Sequence, residues 1–191
     1  MADDIAMGKR TGAFPWRWVG WGLAGTLLLL PLAAMQVTSE VNWDGTDFLF
    51  AAIVFGLVGG LIELAVWRST SWIYRAGVFV AVACGFLQTW ISGAVGIIGG
   101  EENPADILYL AVVAVAIVGS LLALGRPRGM VWAMLAAAAV EIAVPFLAVA
   151  LIPEAKDVAQ DAKVAVLTGG FTAMWLAAAM LFRRAARAGT A

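Results

Sequence analysis

Residues 129–152 read GMVWAMLAAAAVEIAVPFLAVALI, with a single charged side chain, Glu141, and a single proline, Pro145. A helix that crosses the hydrocarbon layer needs about 20 mostly apolar residues, and this stretch supplies them. The same test selects five further stretches, so that the set is Arg17–Gln36, Thr46–Trp67, Ile73–Ile98, Asp106–Gly125, Gly129–Ile152 and Lys163–Phe182. What remains is short loops, an N-terminal tail over residues 1–16 and a basic C-terminal tail over residues 183–191. The expected fold class is therefore all-α: a polytopic integral membrane protein, a six-transmembrane-helix bundle forming one domain over residues 17–182.

Composition agrees. Of 191 residues, 63% are hydrophobic and 13% charged, and the mean hydropathy is +0.92. A water-facing globule carries roughly twice that charged share, and a disordered chain needs low hydrophobicity with high charge. One cysteine, Cys84, excludes a disulfide framework within the chain.

The net charge of −1 hides a segregation. Ten of the twelve Lys and Arg residues fall on one side of the six spans: Lys9, Arg10, Arg17, Arg68, Arg75, Arg126, Arg128, Arg183, Arg184 and Arg187. Lys156 and Lys163 fall on the other, with nine of the acids. The positive-inside bias predicts a cell inner (plasma) membrane protein with both termini cytoplasmic. Trp16, Trp18, Trp21, Trp67, Trp72 and Trp132 gather near the basic boundary, where amphipathic rings prefer to sit. The first span, with Leu30-Pro31-Leu32-Ala33-Ala34 near its end, also has the shape of a secretory leader; the run is long and the cleavage site poor for one, which favours a retained helix. Asp47-Phe48-Leu49-Phe50 and Asp106-Ile107-Leu108-Tyr109 open two spans alike, too short a likeness to establish a repeat.

The acidic rim includes Asp44, Asp47, Glu101, Glu102 and Asp106. Helices starting on that side need acceptors for their first N–H groups and favour acids there. Asp44 with Asp47, Asn103-Pro104-Ala105-Asp106, and Asp157 with Gln160 all have cap spacing. Gly99 and Gly100 suit the end of the third span. A bound cation or a docking surface are the alternatives. Dedicated metal-loop spacing is absent, so no metal site is assigned.

Within the spans, Glu141 is the costliest residue; an intramembrane acid is a functional candidate by default. It lies about 18 Å from the start of its span at 1.5 Å per residue. Pro145 cannot donate to its carbonyl. Gln88 lies about 22 Å from the same side, within reach if the third and fifth spans pack together. Cys84, Gln88, Ser92 and Gly96 form one helical row; Gly77, Ala81, Gly85, Thr89 and Gly93 form the next. Such small, weakly polar faces pack closely or line a passage. The ion- or ligand-binding candidates are Glu141, Gln88, Thr89 and Ser92. For Glu141 the structural alternative is a neutral carboxyl that ties helices together. Glu63, near the end of its span, is expected to form a structural ion pair with Arg75.

Histidine is absent, which removes the commonest metal ligand and general base. No phosphate loop or hydrolase motif occurs. No catalytic residue and no cofactor is assigned, and the basic residues serve topology rather than nucleic acid. These readings point to a small transporter or channel-like protein that uses a mid-membrane carboxylate. Its partners would be the lipid bilayer and either a second copy or another membrane protein. The alternatives are a non-catalytic accessory or assembly subunit and a protein that holds a lipid or other hydrophobic ligand.

Overall fold

A computed structural model describes residues 16–69, 71–94, 96–98, 104–152 and 161–188. Six α-helices occupy them, and no strand occurs among the described residues: α1 Trp16–Ala34, α2 Gly45–Arg68, α3 Trp72–Ala94, α4 Ile107–Leu122, α5 Pro127–Leu151 and α6 Ala162–Ala188. All six are long and apolar enough to cross a membrane; a 3-10 turn over Pro104–Asp106 completes the fourth stretch.

Most helix ends lie within three residues of the sequence reading, and two differ by more. The third helix stops at Ala94 instead of Ile98. Gly96 adopts φ 69° and its N–H bonds back to the Ile91 carbonyl at 3.0 Å; the left-handed conformation closes the helix, as glycine permits without a Cβ clash. Gly99, Gly100, Glu101, Glu102, Asn103, Asp157 and Gln160 lie outside the described residues. The sixth helix runs on to Ala188 through Arg183, Arg184 and Arg187. Cations in a last turn meet the negative end of the helix dipole.

Helix contacts divide the chain into two compact units, residues 1–59 and 60–191, where the sequence suggests one six-helix body. In the first unit the Trp21 ring lies against Gly59. The α2 N-terminus is closed reciprocally: Asp44 Oδ1 accepts the N–H groups of Thr46 and Asp47 at 2.7 and 3.0 Å, and Asp47 Oδ2 accepts Asp44 N–H at 2.9 Å. This is the geometry of a capping box with acids in both places.

In the second unit, α5 packs on α4 and α6, and α3 on α6 and more lightly on α4. The inward side of α6 carries Val164, Thr168, Phe171, Trp175, Ala178, Phe182 and Ala185, an alternation of three and four residues that keeps one face of a 3.6-residue helix on its neighbours. Between apolar helices in lipid, close packing replaces hydrophobic sorting, so small residues mark the contacts. At the α4–α5 crossing an ideal Cβ on Gly119 would stand 2.8 Å from Ala133 Cβ and 3.1 Å from its Cα. The following turn is pinned. Leu124 sits at φ 49°, unusual for a residue with a Cβ, beside Gly125 at φ 69°, and the Tyr74 hydroxyl donates to the Gly125 carbonyl at 2.8 Å. Arg126 is extended and Pro127 opens α5, the position where its missing N–H costs nothing.

Candidate functional site

The fifth helix turns Met130, Ala133, Ala137, Glu141, Val144 and Ala148 inward, at steps of three and four. Glu141 therefore shares the face that a run of alanines lets approach its neighbours closely. It is 0% exposed, as is Gln88 of α3. The two meet: Gln88 Nε2 donates to Glu141 Oε2 at 2.5 Å. The carboxyl thus faces a helix and has no exposed surface.

The amide of Gln88 is used on both sides. Its nitrogen also reaches the Tyr109 carbonyl at 3.4 Å, and its oxygen accepts the Trp175 indole N–H at 3.4 Å. Glutamine is suited to this position because only an amide offers two donors and an acceptor together. Four helices converge through it: α3 by Gln88, α4 by Tyr109, α5 by Glu141 and α6 by Trp175. Glu141 Oε1 has no hydrogen-bond partner among the described residues. Pro145 lies within α5, which continues to Leu151, and its ring nitrogen leaves the Glu141 carbonyl without the usual helical donor. One carboxyl oxygen held and one open is an arrangement that can accept a proton or a cation.

Around this centre, Tyr109 hydroxyl and Thr168 hydroxyl lie 2.8 Å apart, and Cys84 Sγ contacts the Phe171 carbonyl oxygen at 3.7 Å. Ser92, one turn beyond Gln88 on α3, is buried and its hydroxyl has no partner among the described residues. The Thr89 hydroxyl donates to the Gly85 carbonyl of its own helix at 2.8 Å, which leaves its oxygen lone pairs as acceptors.

Two hydrogen bonds of Arg75 go to backbone carbonyls near the end of α2. Arg75 gives Nε to the Ser69 carbonyl at 2.8 Å and Nη2 to the Val66 carbonyl at 3.0 Å. It thereby caps the C-terminus of α2, where carbonyls lack helical donors. Glu63 is partly buried on α2.

Asp106 is assigned differently as well. Its side chain caps nothing in α4. Oδ1 instead accepts the N–H groups of Ile97 and Ile98 at 2.9 and 2.8 Å, while Oδ2 has no partner among the described residues. Lys163 Nζ donates to the neighbouring Gly96 carbonyl at 2.9 Å. Asp106 and Asp47 therefore work differently, although the segments they open look alike. Among the described residues no three His, Cys, Asp or Glu side chains converge as metal ligands.

Sequence reasoning passed over Tyr109, Thr168 and Trp175. A signal existed for Trp175: with Trp90 it is one of two tryptophans that lie well inside a span, the other seven lying near span ends or in loops, and a buried indole N–H must find a partner. At the opposite end of the unit a cleft of about 240 Å³ is lined by Ser69, Tyr74, Leu124, Gly125, Arg126 and Pro127. The chain matches no family model, no curated protein and no solved structure, so the reading of the site rests on its own residues.

Proposed function

We propose that this chain is a small transporter or channel-like membrane protein in which Glu141 binds and releases a proton or cation. The observation that carries this reading is the wholly buried Glu141 carboxyl, held at Oε2 by Gln88 and open at Oε1. A carboxyl kept only to tie helices would gain most by satisfying both oxygens, because an unpaired buried acceptor costs about 1–3 kcal/mol. An open oxygen retained at such a depth is what an exchanging site requires. The charge asymmetry of the loops supports a plasma-membrane setting with both termini cytoplasmic.

The test is flux of protons and small cations into liposomes holding the purified chain. Glu141→Gln keeps the shape and the contact to Gln88 while removing the exchangeable group. Flux lowered at least about tenfold supports the role, in line with the weight intramembrane acids carry; unchanged flux ends it.

A second reading, a non-catalytic accessory subunit, is supported by the small-residue helix faces of the sequence, which suit close packing against a partner helix. Purification in mild detergent separates the readings, since a chain that is fully active and always migrates alone leaves no role for a partner.

A further inference from the structure

We propose that protons reach Glu141 from one end only, the end that carries Asp106, along a file of buried polar groups that stops at the Glu141–Trp175 layer; this rests on the exchanging role of Glu141. The file is built from three helices. The buried face of α3 places Ser92 one turn beyond Gln88. The 3-10 turn before α4 gives Asp106, α4 gives Tyr109, and α6 gives Thr168 and Thr172. Two contacts anchor it: the Tyr109 hydroxyl lies 2.8 Å from the Thr168 hydroxyl, and Gln88 Nε2 donates both to the Tyr109 backbone carbonyl and to Glu141 Oε2.

The buried side-chain oxygens without a partner among the described residues are Asp106 Oδ2, Ser92 Oγ, Thr172 Oγ1 and Glu141 Oε1. Each such atom is costly to leave unsatisfied. All four belong to the Asp106 half of the unit or to the Glu141 layer itself. Four separate defects would scatter; four on one side, ending at an unpaired carboxyl oxygen, mark the side on which water entering the core would find hydrogen-bond partners.

Among the described residues the other half shows no unpaired buried side-chain oxygen. Beyond Trp175 the core is Ala178, Ala179 and Phe182 of α6 facing Val78 and Gly77 of α3 and Met134 of α5. The Phe182 ring would stand 3.1 Å from a Cβ on Gly77 and packs edge-on against Tyr74 with centroids 5.3 Å apart. Trp175 to Phe182 spans roughly 10 Å along the helix, several times the reach of one hydrogen bond. The Tyr74 hydroxyl at the far end is already given to Gly125.

The conducted species is the proton rather than a metal ion, because a hard cation needs six or more oxygens gathered at one point and these groups are strung along a line. The transfer itself is simple: a proton from water bonds to Glu141 Oε1, the carboxylate becomes a carboxyl, and the same O–H bond breaks when the proton leaves. The titratable groups facing Glu141 are Cys84 of α3 and Tyr109 of α4. The sixth helix presents Trp175 to the site and carries its charges, Lys163, Arg183, Arg184 and Arg187, towards its two ends.

The test uses the full chain, oriented in proton-tight vesicles, with the Glu141 carboxyl band identified as the infrared signal lost in Glu141→Gln. The pH is stepped on one face at a time. The expected result is a band change within the experiment only when the Asp106 face is stepped, slowed about tenfold by Ser92→Val, which removes one relay oxygen. A response from the Arg126 face, or equal responses from both, overturns the one-ended path and leaves the exchanging role of Glu141 standing. A band that answers neither face overturns both.

Discussion

Gln88 and Glu141, 53 positions apart in sequence, form a hydrogen bond between two side chains that are each wholly buried. The relationship is asymmetric. Gln88 has further partners in Tyr109 and Trp175, whereas Glu141 depends on Gln88 alone among the described residues. Loss of Gln88 therefore strands a buried acid, while loss of Glu141 leaves an amide that keeps two contacts.

That asymmetry predicts an ordered set of costs. Gln88→Leu is expected to lower stability by about 2–3 kcal/mol, the penalty of leaving a buried charged or polar group unpaired. Glu141→Leu should cost less, and the double variant should recover about 1–2 kcal/mol of the summed loss, since the two side chains touch. Unfolding in mixed micelles gives all three values. Strict additivity would show that the contact contributes nothing to stability.

Backbone proximity at Gly119 leads to a second expectation. The atoms that a Cβ would meet include the Cα of Ala133, which cannot rotate away. Gly119→Ala should therefore cost about 1–3 kcal/mol through overpacking, and Ala133→Gly should restore part of it. Gly169→Ala, where a Cβ meets nothing within 4 Å, is the matched control and should be neutral or slightly stabilising, as alanine favours a helix over glycine by about 1 kcal/mol. Equal effects at the two sites would show that the α4–α5 crossing is looser than described.

The spans were legible in the sequence because a hydrocarbon crossing imposes length and polarity limits that six stretches of this chain meet. Depth counting also put Gln88 and Glu141 within reach, since both distances were measured from one side. The division into two units was not legible. Composition does not tell which apolar helices share a core, so the seating of Cys84, Gln88 and Ser92 of α3 in the core of the second unit could not be read from their span. The use of Arg75 as a cap was not legible either: charge alone points to an acid, whereas its guanidinium also bonds carbonyls that the end of α2 leaves without helical donors. Asp106 misled because its cap spacing suggested a role in its own helix, while the 3-10 turn points its carboxylate back to residues 97 and 98.

The back-pointing contact gives a third prediction. Asp106→Ala leaves two buried N–H groups, those of Ile97 and Ile98, without their acceptor, at about 1–3 kcal/mol each. Asp106→Asn keeps one carbonyl oxygen that can accept both bonds, so it should retain most of the stability. The measurement is hydrogen exchange at Ile97 and Ile98. Fast exchange in the alanine variant with protection in the asparagine variant is expected; protection in both would show that Asp106 is not what holds this segment.

Cys84 supplies a probe of the whole core. It is 0% exposed, packed against the Phe171 carbonyl, and is the one cysteine of the chain. Modification by a bulky thiol reagent therefore requires the α3–α6 contact to open, and the rate should follow that opening rather than reagent access. Labelling in detergent is expected to be at least about a hundredfold slower than after unfolding, the protection that a few kcal/mol of opening free energy provides. Gln88→Leu, one turn away on the same face, should raise the rate in proportion to its loss of stability if the core opens as a unit. A rate already equal to that of the unfolded chain would place Cys84 outside the packed core and remove the basis for a sealed Glu141 layer.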